Sequence, residues 1–159
     1  VPFLPGDIKI FGSSAGNLGG QPTAEIPDNS LHLLFPPLSR DDLASGKVEY
    51  RCFFVKNTTT DKTFFRITIQ VIEPPDGSRN PVETIALGVD PVKGSPVQQI
   101  PNSTTAPTGV TFFENREVEI GMLGPGEEQA VWVRRTVPAG TPAGGFVKVT
   151  LQIKGYALS

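Results

Sequence analysis

Few side chains here have the types and spacing that do chemistry. The chain of 159 residues holds one cysteine, Cys52, and one histidine, His32. A thiol becomes a nucleophile only beside a base or a positive charge, yet Cys52 sits among Tyr50, Phe53 and Phe54 with no histidine near it in sequence. It reads as a buried thiol acting as a small hydrophobe, and with no second cysteine no intrachain disulfide can form. His32 lies alone in the apolar run Leu31 to Leu38. Without a second His, Cys or carboxylate at ligand spacing, it reads as a packing or hydrogen-bonding residue rather than a metal ligand or a base. The carboxylate pairs Asp41-Asp42 and Glu127-Glu128 fall in turns without apolar pocket-forming sequence around them, as solvated charge does. The stretch Asp76-Gly77-Ser78-Arg79-Asn80 lacks the carboxylate ladder that a hard cation needs. No GxSxG, HExxH, CxxC or phosphate-cradling glycine loop occurs. The expectation is a protein that is not an enzyme, with no catalytic residues, no metal and no cofactor. Two glycosylation sequons, at Asn57 and Asn102, match by spelling alone.

What remains are candidate contact residues, and these depend on the elements that carry them. Met122 to Gly140 reads as strand, Gly124-Pro125-Gly126 turn, strand and stop. Alternation puts Val131, Val133 and Val137 on one face and Ala130, Trp132, Arg134 and Thr136 on the other. Two readings of Trp132 follow. It either faces a second layer or is covered by the N-terminal segment, or it joins Arg134 as a surface anchor of the kind enriched at protein interfaces.

Residues 1–30 hold five Gly and four Pro, with short apolar clusters at Val1 to Leu4 and at Ile8, Ile10 and Phe11. Asp7 to Phe11 fits one short strand with Ile8 and Ile10 on a common face, and the following SSAGNLGGQP has no period. The segment reads either as a strand plus a loose connection or as an extended arm that orders on a neighbouring subunit, with Phe3, Leu4, Ile8, Ile10 and Phe11 as its contact residues. The expected division is therefore an arm, 1–30, and a β-domain, 31–159. On the arm reading, deleting residues 1–20 should leave a folded module that no longer binds its partner.

In the β-domain, Leu31 to Leu38 is a first strand or packing strip, and Ser39-Arg40-Asp41-Asp42 starts a helical turn that Gly46 ends. Strands follow at Lys47 to Asn57 and Lys62 to Glu73. The first is apolar on both sides over Cys52 to Val55, as in a central strand; the second has Phe65, Ile67, Ile69 and Val71 on its inward face. Val82 to Val89 resumes the sheet, an edge strand fits Val97 to Ile100, and Thr111 to Phe113 is a short apolar piece. Glu117 to Met122 alternates with Val118, Ile120 and Met122 inward, and Phe146 to Lys154 closes the set with Val147, Val149, Leu151 and Ile153. Short strands, frequent turns and almost no helical period predict an all-β fold, an immunoglobulin-like antiparallel β-sandwich with an N-terminal extended arm.

Composition narrows the partners. Fourteen basic and 16 acidic residues give a net charge of -2, which offers no electrostatic footprint for nucleic acid or an anionic membrane. No apolar run approaches the ~20 residues of a membrane span, and no basic-then-apolar leader opens at Val1, so cytoplasmic synthesis and solubility are expected. Proteins are the expected partners.

Three stretches carry a resemblance, VEYRCFFVKNTT at Val48 to Thr59, NSTTAPTGVTF at Asn102 to Phe112, and LGPGEEQAVWVRRTVPAGTPAG at Leu123 to Gly144, and the opening DIKIFGSSAG at Asp7 to Gly16 looks like a phage structural protein's start as well. The three resemble small virion structural proteins encoded beside the capsid genes of tailed bacteriophages and prophages, and the third is also similar to the late strands of bacterial immunoglobulin-like modules. The resemblance implies a capsid decoration (cement) protein on the outside of the phage head, made in the host cytoplasm, whose partner is the major capsid protein. It implies homo-oligomers on the lattice, with trimers at three-fold positions a natural arrangement. The alternative is a tail or baseplate module binding a partner protein, or a carbohydrate through exposed aromatics such as Trp132.

Overall fold

The segment Lys47–Asn57 is apolar on both sides because both of its sides are covered. The computed structural model describes residues 6–27, 39–72, 84–114, 116–140 and 150–157. In chain order its strands are β1 (Ile8–Ser13), β2 (Pro22–Glu25), β3 (Lys47–Asn57), β4 (Phe64–Ile72), β5 (Thr84–Lys93), β6 (Phe113–Glu114), β7 (Val118–Leu123), β8 (Glu128–Val137) and β9 (Thr150–Ala157). They form two antiparallel sheets, a six-stranded one ordered β2-β1-β3-β8-β5-β6 and a three-stranded one ordered β7-β4-β9. The two face each other as a sandwich, so the all-β expectation holds.

The centre of the large sheet is the β3–β8 pair, in unbroken register from Lys47↔Val137 to Lys56↔Glu128. Odd-numbered residues of this pair point between the sheets. Phe53, Val55, Val131 and Val133 there meet Phe64, Ile67, Ile69, Val118 and Leu123 of the small sheet in one buried cluster. Each such side chain contributes roughly 1.5–3 kcal/mol by leaving water. Even-numbered residues point the other way, where Cys52, Phe54, Ala130 and Trp132 form a second cluster with Val97 and Ile100. The cover on this outer face is irregular chain: Leu18 to Gly20 runs beside Val97 to Ile100 through Val97 N to Gly20 O (2.9 Å), Gly20 N to Gln98 O (3.2 Å) and Ile100 N to Leu18 O (2.9 Å). The edge strand expected at Val97 to Ile100 reduces to a single bridge, Gly19↔Gln99. Gly19 has φ +107, and a Cβ there would collide with the Gln98 carbonyl and reach 3.0 Å from the Trp132 ring; only glycine lets the two segments approach so closely.

The N-terminal segment forms the short strand expected around Ile8 and Ile10 and extends it. β1 pairs with β3 from Ile8↔Asn57 to Phe11↔Phe54, and β2 returns antiparallel to β1. Ile8 and Ile10 pack on the inner cluster and Phe11 on the outer one. Buried Ser13 ties the turn down, its Oγ donating to Cys52 O (2.8 Å) and accepting from Gly19 N (3.0 Å). β1 and β2 thus belong to the large sheet, with Ile8, Ile10 and Phe11 packed on its two apolar clusters. Phe3 and Leu4 lie outside the described residues.

The helical turn Arg40–Ser45 forms as expected. Ser39 Oγ accepts from Asp42 N (3.1 Å), Asp42 Oδ2 accepts from Ser39 N (3.1 Å), and Gly46 N closes on Asp42 O. The Ser39 backbone N–H foremost, helped by the Ser39 side chain and by Lys47 and opposed by desolvation, holds the Asp42 carboxyl below its usual pKa. The expected strand Leu31 to Leu38 with His32, the stretch Asp76 to Asn80, and Val147 and Val149 lie outside the described residues; Leu151 and Ile153 pack inward as expected.

Deletion of residues 1–20 removes β1, the Ser13 anchor and half of the outer cover, so the expectation that it leaves a folded module reverses. The truncated chain should lose its cooperative thermal transition or melt more than ~10 °C lower. Calorimetry of full-length and truncated protein checks this, and equal melting temperatures would contradict the assignment.

Candidate functional site

Trp132 becomes central as soon as its surroundings are placed. Its ring is fully buried, and Nε1 donates to Asp90 Oδ1 at 2.9 Å. Asp90, itself buried, also accepts from Gln98 Nε2 at Oδ1 (3.0 Å) and from Val92 N at Oδ2 (2.9 Å). Gln98 then clamps the loop over the outer face, donating to Thr108 O (2.8 Å) and accepting from Thr108 N (2.7 Å). A buried carboxylate is tolerable only when its oxygens are supplied with donors, and here these donors lock the loop to β5 and β8. The reading of Trp132 as an exposed anchor, for protein or for sugar, is corrected; the alternative, a covered Trp132, is what the fold contains.

Arg134, one residue pair further along the same face, lies where the cover ends. It is half-buried, its guanidinium 5.2 Å above the Phe112 ring and 3.3 Å from Glu114 Oε1, and Phe112 in turn meets Tyr50 at 5.6 Å. This arrangement seals the rim of the outer cluster. On the inner face at that end, Glu49 is buried with Arg135, which donates to it from Nε (3.1 Å) and Nη2, while Lys47 and Arg51 approach its other oxygen at 3.3 and 3.7 Å. Burial lowers the Arg51 pKa, opposed by Glu49 and reinforced by Arg135. Alternation along β3 and β8 already aims these charges inward. Cys52 is buried, and desolvation pushes its thiol up to about 12, which keeps it protonated and unreactive at neutral pH.

The surface that sequence reasoning missed is the outer face of the small sheet. Between Phe64↔Leu123 and Ile67↔Gly121, three residues of β4 span two of β7, and between Phe65↔Tyr156 and Thr68↔Lys154 they span two of β9. The extra residue sits at a bulge where Arg66 has φ 52. A second bulge lies in β7, where Ile67 and Thr68 pair with Gly121 and Glu119, and Gly121 takes φ +97. One added residue inverts the parity of a strand. Phe64 and Leu123 are therefore buried, and Phe65 and Met122, both expected inward, face out. Register sets Met122, Phe65 and Tyr156 in a row across all three strands, Met122 47% and Tyr156 59% exposed. The adjoining row is Glu119, Thr68 and Lys154. The only sequence signals for this were Gly121 within an alternating run and the doublet Phe64-Phe65 ahead of a charged residue.

Among the described residues no group of three or more His, Cys, Asp or Glu side chains comes together, and no helix is long and apolar enough to cross a membrane. Compared with protein-family models, with curated proteins and with solved structures, the chain shows no match.

Two measurements check this arrangement. Trp132→Phe removes the indole donor from Asp90 and leaves a gap, so unfolding free energy should fall by about 1–3 kcal/mol, read as a lower urea midpoint at an unchanged slope. For Cys52, burial raises the folded pKa above the thiol's ordinary value of about 9.0. The native state therefore holds this proton more tightly, and the stability it lends is whole below about pH 9 and is lost as pH rises towards 12. Thiol reagent at pH 8 should label only denatured protein, and Cys52→Ala should show a shallower alkaline loss of stability than the parent.

Proposed function

We propose that this chain is a non-enzymatic virion structural protein, a capsid decoration protein that binds the outside of a phage head and stabilises its lattice. The observation that carries the reading is where the three resembling stretches lie. Val48 to Thr59 is β3 with the turn after it, and the described part of Leu123 to Gly144 is the turn into β8 and β8 itself. These two pair along their whole length, and Asn102 to Phe112 closes over them through Tyr50 N to Ser103 O (2.7 Å) and the Tyr50–Phe112 ring contact. The likeness thus follows one continuous unit of the tertiary structure rather than scattered strands. We read that unit as an immunoglobulin-like module.

The chemistry-bearing side chains agree with a binding role. Asp90, Glu49 and Cys52 are used inside the fold, while Met122 and Tyr156 are turned to solvent with half-buried Phe65 between them. A protein that binds only the assembled lattice stabilises it by mass action, and weak contacts repeated over a symmetric shell multiply. The major capsid protein is the partner in this reading, and the virion is where the protein acts.

Immunogold electron microscopy of virions, with antibody against the purified chain, tests it. Label over the heads is the expected result. Label confined to tails would replace the reading with a tail or baseplate module, and unlabelled virions would overturn both.

A further inference from the structure

The small sheet's outer face combines an apolar row with a polarised charge pattern. Met122 (β7), Phe65 (β4) and Tyr156 (β9) form the first row. Beside it Glu119 (β7), Thr68 (β4) and Lys154 (β9) form the second, and Gln70 and Gln152 continue a third. Among the described residues the anions of this face, Glu119 and Glu117, belong to the β7 side, and its cations are Lys154 on β9 and Arg66 on the central strand. Glu117 reaches over to Lys154 at 3.1 Å. Among the described residues these four charges sum to zero, with Glu119 on the β7 edge and Lys154, beside Glu117, on the β9 edge.

Such a face is complementary to itself. A two-fold axis parallel to β4, lying above the face, places β7 of one copy over β9 of the other and keeps every row at its own level. Glu119 then meets Lys154 of the second copy, twice, and Met122 meets Tyr156 twice, with the two Phe65 rings on the axis. Lys154 has donors to spare for a second carboxylate beside Glu117. The two Arg66 side chains lie next to the axis, and each is long enough to turn towards the other copy's Glu119. Aromatic residues, Met and Arg are the types enriched at interface centres.

Backbone evidence points the same way. Two bulges, one with a non-glycine residue in the left-handed region at Arg66, are what turn Phe65 and Met122 out of the core. A left-handed non-glycine residue is strained backbone, and exposed Met122 and Tyr156 in one row are themselves an association liability. We propose that this face is a docking surface for a second copy of the chain, giving an isologous dimer about an axis parallel to β4. The proposal is independent of the virion reading.

The area sets the strength. Three strands ~4.8 Å apart and about eight residues long at ~3.3 Å each give a plane of roughly 380 Å², well short of the ~800 Å² per partner of a standard stable interface. Dimerisation should therefore be weak and concentration-dependent.

Sedimentation equilibrium of the full chain from ~10 μM to ~1 mM, a range that brackets micromolar-to-millimolar affinities, tests this. The weight-average mass should climb from 17.0 kDa towards twice that value. Glu119→Lys or Lys154→Glu alone sets like charges face to face and should weaken association at least tenfold. The double exchange Glu119→Lys with Lys154→Glu should restore it, and Tyr156→Ser should weaken it without altering the melting temperature appreciably. These positions are exposed, so circular dichroism should find every variant folded. A wild-type chain that stays monomeric throughout overturns the proposal, including one that instead binds a different protein through this face. So do single charge reversals without effect, or a double exchange that fails to restore association.

Discussion

The structure depends on one constraint: the β3–β8 pair is apolar on both faces and must be covered on both. Phe53, Val55, Val131 and Val133 require one layer, and Cys52, Phe54, Ala130 and Trp132 require another. The three-stranded sheet supplies the first. The second is built from chain with little regular structure, and that choice explains much of the composition. A loop laid against a sheet must satisfy its own backbone groups. The Leu18–Gly20 and Val97–Ile100 segments do so by bonding to each other, and Tyr50 N bonds to Ser103 O. Glycine at position 19 follows from that close approach.

Buried polar groups act as fasteners for this irregular cover. Asp90 holds Trp132, Gln98 and the Val92 amide together, Gln98 extends the connection to Thr108, and Ser13 joins β1 and its turn to Cys52. Hydrophobic contact alone is non-directional and would leave the loop free to slide. Hydrogen bonds to a buried carboxylate are directional and costly to leave unmade, so they select one placement. Glu49 with Arg135 does comparable work at the inner end of the sheet pair, where burying a charge without its partner would be strongly destabilising.

The small sheet shows how slight backbone irregularities decide what the surface offers. One extra residue at Arg66 and another at the Ile120-Gly121 step exchange Phe64 for Phe65 and Leu123 for Met122 as the buried member of each pair. Core volume hardly changes, because a phenylalanine replaces a phenylalanine and a leucine replaces a methionine. The outer face changes with it, from a plain solvated sheet to one with an apolar row beside charged side chains.

Sequence alone determined the elements that follow a strict period: β3 as a doubly covered strand, the alternation of β8, the capped turn at Arg40–Ser45, and the pairing of Ile8 with Ile10 on one face. Local side-chain parity and capping are set by residues a few positions apart, so they are readable in one dimension. The tertiary structure decided the rest. Whether the N-terminal residues form a free arm depended on whether β3 offered them an open edge, and whether Trp132 meets solvent depended on a loop that arrives from Val97 to Val110. The direction of Phe65 and Met122 turned on bulges, which shift parity through pairing with neighbouring strands distant in sequence. Alternation predicts a face only while each strand keeps step with its partners, and a strand's own residues do not reveal where that step is broken.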